Sequence, residues 1–225
     1  MTTDEKVLEG FYNIITESKQ GMYDKIAADR TKHLTVVMES ISKEHNSSAV
    51  LRTCDCFGIQ DLYTIEKGEK KYEPMRDIAL GAGNWVDLHI YDQNESPTTA
   101  CLTELKKKGY KIVATTPHTD INIADISIDQ PIALAFGTEK TGISEEVYEM
   151  ADELVKIPMY GFTESFNISV SAAVALNILR DKLEKSNLDW KLSHEDQVKL
   201  KIQWSAKIIR DGEKVEKEIR KRVKE

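Results

Sequence analysis

Hydrophobic positions recur along this chain at two different periods. Between residues 4 and 30, Val7, Leu8, Phe11, Ile14 and Ile15 fall at the three-to-four spacing of one helical face, which predicts a helical N-terminal segment. LTVVME (Leu34 to Glu39), DLYTIE (Asp61 to Glu66), WVDLHIY (Trp85 to Tyr91), YKIVATT (Tyr110 to Thr116), PIALAFG (Pro131 to Gly137) and ELVKIPM (Glu153 to Met159) are short β-branched or alternating runs and predict strands. Helical stretches separate them. Asn46 to Phe57 is closed by Gly58 and capped by Asn46; a weak helix spans Pro74 to Leu80; Pro97 to Lys108 has Pro in its first turn and Gly109 after its end. Ser144 caps a short helix, and Ile168 to Lys185 forms a longer one. In the tail, Leu200, Trp204, Ile208, Val215, Ile219 and Val223 sit near heptad spacing.

Strands alternating with helices predict an α/β fold, a largely parallel sheet covered on both faces. The expected division is a helical extension over 1–33, the sheet domain over 34–186 and a helical extension over 187–225. Open parallel sheets bind ligands beyond the carboxyl ends of their strands. Three such ends carry unusual residues here: ATTPH after Val113, FGTEKTG after Ala135, and the stretch that starts at Ile157.

Composition narrows the class. With 40% hydrophobic and 31% charged residues the chain is globular, and no run of about 18 apolar residues suggests a membrane span. The opening MTTDEKVLEG lacks a basic-then-apolar signal, so the cytoplasm is expected. Cys54, Cys56 and Cys101 read as buried, reduced thiols; a CxC pair without two further ligands does not make a zinc site, and no metal is expected. The net charge of −7 is unevenly spread: from Arg180 onward 14 Lys or Arg face 10 Asp or Glu, a net of +4 that leaves −11 on the rest. A basic tail permits RNA contact, but from charge alone a solvated helix face is the plainer reading.

Three segments carry candidate chemistry. FGTEKTGIS (Phe136 to Ser144) places glycines on either side of Thr138, Glu139, Lys140 and Thr141, between a strand and a helix. The pattern matches neither a P-loop nor a dinucleotide fingerprint, and an ordinary glycine turn with an exposed Glu is sufficient to explain it. In HNSSAVLRTCDCFG (His45 to Gly58), Arg52 offers a permanently charged fork of donors suited to phosphate, while pairing with Asp55 on the helix surface is the plainer reading. IPMYGFTESFNISVSAAVAL (Ile157 to Leu176) is the most informative. Ser165, Asn167 and Ser169 all stand at a helix start where one cap suffices, so the surplus of polar groups suggests a binding site. Phe162 and Phe166 are either core residues or an aromatic platform, with core expected for at least one.

Together, NSSAVLRTCDCFG, GTEKTG and IPMYGFTESFNIS resemble, in order and spacing, the three motifs of the TrmH (SpoU) family of RNA ribose 2′-O-methyltransferases, within the SPOUT superfamily. The flanks are similar to the branch that methylates the D-loop guanosine at position 18 of tRNA. The resemblance implies a sheet whose C-terminal part forms a trefoil knot, a homodimer, S-adenosylmethionine as methyl donor and tRNA as partner. It implies a catalytic Arg52 supported by Asn46, with Glu139 from the second motif and Ser165 and Asn167 from the third. Thr115, Gly137, Ile157 and Phe166 match positions that line the cofactor pocket. Phe166 stands where the family commonly has Leu, and Cys56 where it has Ala.

An Arg is a poor base at neutral pH. Arg52 is therefore expected to stabilise the developing alkoxide and to grip a neighbouring phosphate. RNA docking is expected from Lys19, Lys25, Arg30, Lys32, Arg220, Lys221 and Arg222. The alternatives are methylation of ribosomal RNA, or a catalytically silent RNA-binding protein of the same fold.

Overall fold

The computed structural model describes every residue except 42, 68–71, 93, 94 and 225. It divides into two compact units, one of residues 32–190 and one formed jointly by residues 1–31 and 191–225.

The larger unit is built on six parallel strands, β1 (Leu34–Glu39), β2 (Asp61–Ile65), β3 (Asp87–Tyr91), β4 (Lys111–Thr115), β5 (Ile132–Phe136) and β6 (Glu153–Val155), in the spatial order β3-β2-β1-β5-β4-β6. Every residue of β1, β2 and β5 is buried. That explains why these strands are mostly apolar on both sides: a central parallel strand has a core on each face, and their few polar residues, Thr35, Glu39, Asp61 and Thr64, are buried with the rest. On one face the largest cluster joins Val36, Met38 and Leu134 to Leu51, Leu176 and Leu179; on the other, Val37 and Ala135 pack with Leu102 and Leu105.

Because all strands run the same way, their carboxyl ends share one rim. The register Met38↔Phe136, Ala114↔Ala135 and Thr115↔Val155 brings the residues after β1, β4, β5 and β6 to that rim together. Two long helices start there. Their ranges are Glu44–Cys56 and Ile168–Glu184, and they pack against each other. The strand order reverses between β1 and β5, the place where open α/β sheets hold ligands.

The smaller unit differs from the sequence pattern in an instructive way. The N-terminal segment was expected to be helical throughout residues 4–30 and the tail mostly helical; each is two helices with a break. The N-terminal helices are Thr3–Tyr12 and Glu17–Ala28, the second begun by a Thr16 cap whose hydroxyl accepts from the Lys19 amide. Ile14, placed in the apolar stripe by spacing, falls in the break and is 56% exposed. The C-terminal helices, His194–Ile208 and Gly212–Lys224, are separated by Asp211, whose φ of 56° lies in the left-handed region. Val7, Leu8, Phe11, Val198 and Ile202 form the core of this unit, with Val215, Ile219 and Val223 packed on it.

In chain order these elements give nine α-helices, α1 (Thr3–Tyr12), α2 (Glu17–Ala28), α3 (Glu44–Cys56), α4 (Arg76–Ala79), α5 (Pro97–Lys107), α6 (Glu145–Met150), α7 (Ile168–Glu184), α8 (His194–Ile208) and α9 (Gly212–Lys224), among the described residues.

Candidate active site

The loop after β5 is a closed hairpin. The Thr138 amide donates to the Gly142 carbonyl at 2.9 Å and the Gly142 amide returns a bond to Thr138 at 3.0 Å, while the Thr138 hydroxyl accepts from the Thr141 amide. Both glycines are required by this geometry. Gly142 has φ +71°, and a Cβ on Gly137 would lie 2.1 Å from the Gly142 carbonyl oxygen. The segment is thus the glycine turn that its pattern suggested, but its Glu is not idle.

Glu139, at the tip of the hairpin, is held from two helices. Asn46 Nδ2 donates to its Oε1 at 2.5 Å, Asn167 Nδ2 donates to the same oxygen at 3.1 Å, and Lys43 Nζ lies 2.8 Å from Oε2. Asn167 Nδ2 also donates to Asn46 Oδ1 at 3.1 Å, so the three side chains close a ring. The sequence expected Asn46 to cap α3. The helix instead begins at Glu44, two residues earlier, which puts Asn46 inside the first turn, 3% exposed, with its amide free to cross to the loop. Asn167 does cap α7. Its Oδ1 accepts from the Ser169 amide at 2.9 Å and the Ser169 hydroxyl at 2.6 Å, which leaves only its NH₂ to face Glu139. Two helix N-termini, each with partial positive charge, therefore converge on one carboxylate.

The Glu139 carboxyl is lowered from its ordinary value, first by the Lys43 ammonium, which outweighs the opposing desolvation, and further by the Asn46 amide. It remains ionised at neutral pH with both oxygens engaged, which suits an organiser of the two helix ends better than a proton carrier. Replacing Asn167 with Ala should remove the α7 cap, at a cost of about 1 kcal/mol, and release Glu139. A thermal melt paired with an activity assay should show activity falling by more than the modest stability loss accounts for.

The structure does not tie every expected residue into this ring. Arg52 lies six residues beyond Asn46 on α3, roughly 9 Å along the helix axis. Its side chain is exposed and makes no hydrogen bond or ion pair among the described residues, including the expected one to Asp55. Ser165 is exposed and its side chain likewise has no partner among them. Phe162 is fully exposed and Phe166 is 43% exposed, so the expectation that one of them is core is corrected: the loop holds both away from the interior of this chain. Cys54 and Cys101 are buried, whereas Cys56 is exposed, on the open face of α3 with Arg52. Among the described residues no group of three or more His, Cys, Asp or Glu side chains is placed to hold a metal ion.

Thr115 and Ile157, two of the positions expected to line a cofactor pocket, stand at the rim. The Thr115 hydroxyl donates to the Ala135 carbonyl at 3.0 Å, and Ile157 packs into the core at 9% exposure. Their side chains are committed, so what this edge offers a ligand is backbone. The amides of 157 and 159–167 donate no hydrogen bond among the described residues. A loop with that many open donors and acceptors beside the strand ends fits a polar heterocycle such as adenine.

Of the basic residues expected at RNA, Arg30 requires correction. It is 2% exposed, with its guanidinium 5.5 Å from the centre of the Trp204 ring, and so is buried as a cation over an aromatic face. Arg220 is paired with Asp4 and Glu216 at 2.8 and 2.7 Å, Lys19 lies over the Tyr23 ring, and Lys32 is 3.7 Å from the Asp61 carboxylate. Lys25, Lys221 and Arg222 are exposed. Spacing had no means of flagging Lys43. It announces itself only as a cation three residues before Asn46.

Residues 33–177 match the model of the SpoU rRNA Methylase family. The chain belongs to this family. It is 36% identical over 203 residues to the tRNA (guanosine(18)-2'-O)-methyltransferase of Borreliella burgdorferi, covering 90% of this chain and 91% of that protein. The protein of the same name from Aquifex aeolicus is 31% identical, over 85% of this chain and 90% of the relative. Among solved structures, the A. aeolicus TrmH/SpoU tRNA modifying enzyme superposes with a TM-score of 0.77 at 30% identity, over 86% of this chain and 98% of that one. The ring of Asn46, Glu139 and Asn167 lies within the span matched by the SpoU family model, and that span includes all six strands.

Proposed function

We propose that this protein is a cytoplasmic enzyme that transfers a methyl group from S-adenosylmethionine to the ribose 2′-hydroxyl of guanosine 18 in tRNA. The observation that carries this reading is the convergence of Asn46, Glu139 and Asn167 at the carboxyl-end rim of the sheet, in a chain alignable over nine-tenths of its length with a tRNA (guanosine(18)-2'-O)-methyltransferase. Bound S-adenosylmethionine would supply the electrophilic methyl carbon. Backbone groups of 157–167, with Gly137 and Thr115 beside them, would hold its adenosine. Arg52, permanently charged and without a hydrogen-bond or ion-pair partner among the described residues, would meet the attacking hydroxyl as its charge develops and grip an adjacent phosphate. Ser165 offers a hydroxyl on the same loop as Asn167.

A tritium-transfer assay with unmodified tRNA transcripts tests this. Methylation is expected on a transcript with G18 and not on one with another base there; equal methylation of both, or of ribosomal RNA alone, would overturn the substrate.

One feature supports a homodimer. Tyr160 and Phe162 are almost fully exposed on the 157–167 loop, and Phe166 and Val170 continue the patch onto α7 at 43% each. An exposed apolar patch of this kind marks an interaction surface, and light scattering of the purified protein measures the expected doubling of mass. A knotted path is likewise part of the proposal. Lys156, which follows β6, exchanges backbone bonds with Ile121 and Ile123 in the β4–β5 connection, and Lys182 of α7 donates to the Ala124 and Ile126 carbonyls of that same connection. The chain after β6 is therefore tied to a loop that precedes β5.

We assign RNA docking outside the catalytic rim to Lys25, Lys221 and Arg222, with Lys19, Lys32 and Arg220 contributing where their present pairings give way. Removing residues 190–225 would not test this cleanly, because Val198 and Ile202 belong to the core formed with α1. Reversing the charge of Lys221 and Arg222 together should weaken tRNA binding and lower the salt dependence of the affinity by about one slope unit per lost phosphate contact, with cofactor binding unchanged.

A further inference from the structure

Outside the ring of Asn46, Glu139 and Asn167, a second acidic side chain of the larger unit is held from several segments at once: Glu39, at the end of β1. It is 3% exposed. Its Oε1 accepts from the Thr98 hydroxyl at 2.9 Å and the Ser144 hydroxyl at 2.6 Å and lies 3.2 Å from Lys67 Nζ; its Oε2 accepts from the Ser144 amide at 2.9 Å. Burial by itself would raise the carboxyl's pKa, but the bonds from Ser144, Thr98 and Lys67 outweigh it and leave the group lowered and ionised.

The placement of these bonds matters more than their number. Met38 is in register with Phe136, the residue before Gly137, and Glu39 binds Ser144, the residue that ends the loop. Two consecutive residues of β1 thus hold the two ends of the 137–144 segment. The same stretch of chain then runs into α3, where Asn46 meets the hairpin tip at Glu139. Base and tip of the loop are fixed by one continuous piece of backbone.

We propose that Glu39 is a positioning residue for the methyl-transfer site, which clamps the 137–144 loop so that Glu139 stays in reach of Asn46 and Asn167. The proposal rests on the reading of that ring as part of the active site. Glu39 touches neither substrate nor cofactor; it acts through Ser144 and the hairpin.

Glu39→Gln preserves size but leaves one acceptor oxygen where there were two, so Ser144 loses at least one bond and Lys67 keeps only Glu146 as a charge partner. Hydrogen exchange read on peptides covering 138–144 should accelerate in this variant while peptides from β1 and β5 remain protected. Single-turnover methyl transfer should fall roughly 10- to 100-fold, the scale of a misplacement near 1 Å. In a Glu139→Gln background the added Glu39→Gln change should cost little, because the group it positions is already disabled. Ser144→Ala, which keeps the amide bond to Glu39, should show the same pattern more weakly and serves if Glu39→Gln does not fold. Unchanged exchange over 138–144, or an undiminished loss in the Glu139→Gln background, would overturn the proposal. Wild-type protein inert toward every RNA would defeat the functional reading instead, and the exchange result would then decide the clamp by itself.

Discussion

Arg52→Ala should abolish methyl transfer while leaving the fold untouched. The side chain is exposed on α3 and has no hydrogen-bond or ion-pair partner within the described residues, so its removal breaks no such bond among them, and surface changes of that kind shift stability by no more than about 0.5 kcal/mol. Removing a donor aimed at developing negative charge costs on the order of 10²- to 10³-fold in rate. Arg52→Lys separates two versions of the role. If the guanidinium grips a phosphate with one arm while the other meets the alkoxide, an ammonium cannot replace it and the Lys variant should lose nearly as much. Near-normal turnover by the Lys variant would mean that a point charge is enough. Melting curves and single-turnover rates on the same preparations decide between these outcomes, and a large drop in melting temperature for Arg52→Ala would show that the side chain is structural after all.

What the sequence conveyed about this site depended on the kind of signal. The strands were legible because they are short β-branched or alternating runs, and β1, β2 and β5, buried on both faces, are mostly apolar. The rim was legible because parallel strands put all their carboxyl ends on one side, and three of those ends carried polar residues that a plain connection does not need. Helix boundaries were harder. Asn46 looked like a cap because Asn favours that position, yet the chain starts the helix at Glu44 with no side-chain cap and uses Asn46 across space for Glu139. A local propensity was overridden by a tertiary bond, and no window of sequence contains both partners. Arg30 shows the same limit from the other side: charge patterning treats every cation as solvent-facing, and only the fold reveals the Trp204 ring beneath this one. Breaks at Asp211 and Asn13–Thr16 escaped notice because the apolar spacing continued through them. Glu39 was hidden in plain view, a charged residue closing an otherwise apolar strand, and its four donors come from three separate segments.

Gly137→Ala should be the most damaging single methyl group that can be added to the site. Its Cβ would stand 2.1 Å from the Gly142 oxygen and 2.3 Å from the Ile143 nitrogen, and these are backbone atoms that no rotamer change can move aside. The hairpin must open, which breaks the paired bonds between Thr138 and Gly142 and carries Glu139 away from Asn46 and Asn167. Displacements of an ångström near reacting groups already cost about 10²-fold, and here the loop that presents Glu139 also borders the cofactor edge, so transfer and cofactor affinity should fall together. The two sheet cores do not depend on the hairpin. The variant should therefore stay folded by circular dichroism while calorimetry detects weakened binding of S-adenosylmethionine and the methyl assay reads near background. Gly142→Ala provides the contrast: nothing lies within 4 Å of a Cβ there, and the penalty is only the strain of a positive φ, on the order of 1 kcal/mol. If the two variants lose activity equally, backbone strain rather than the close approach of the hairpin strands governs this loop, and the requirement placed on Gly137 is wrong.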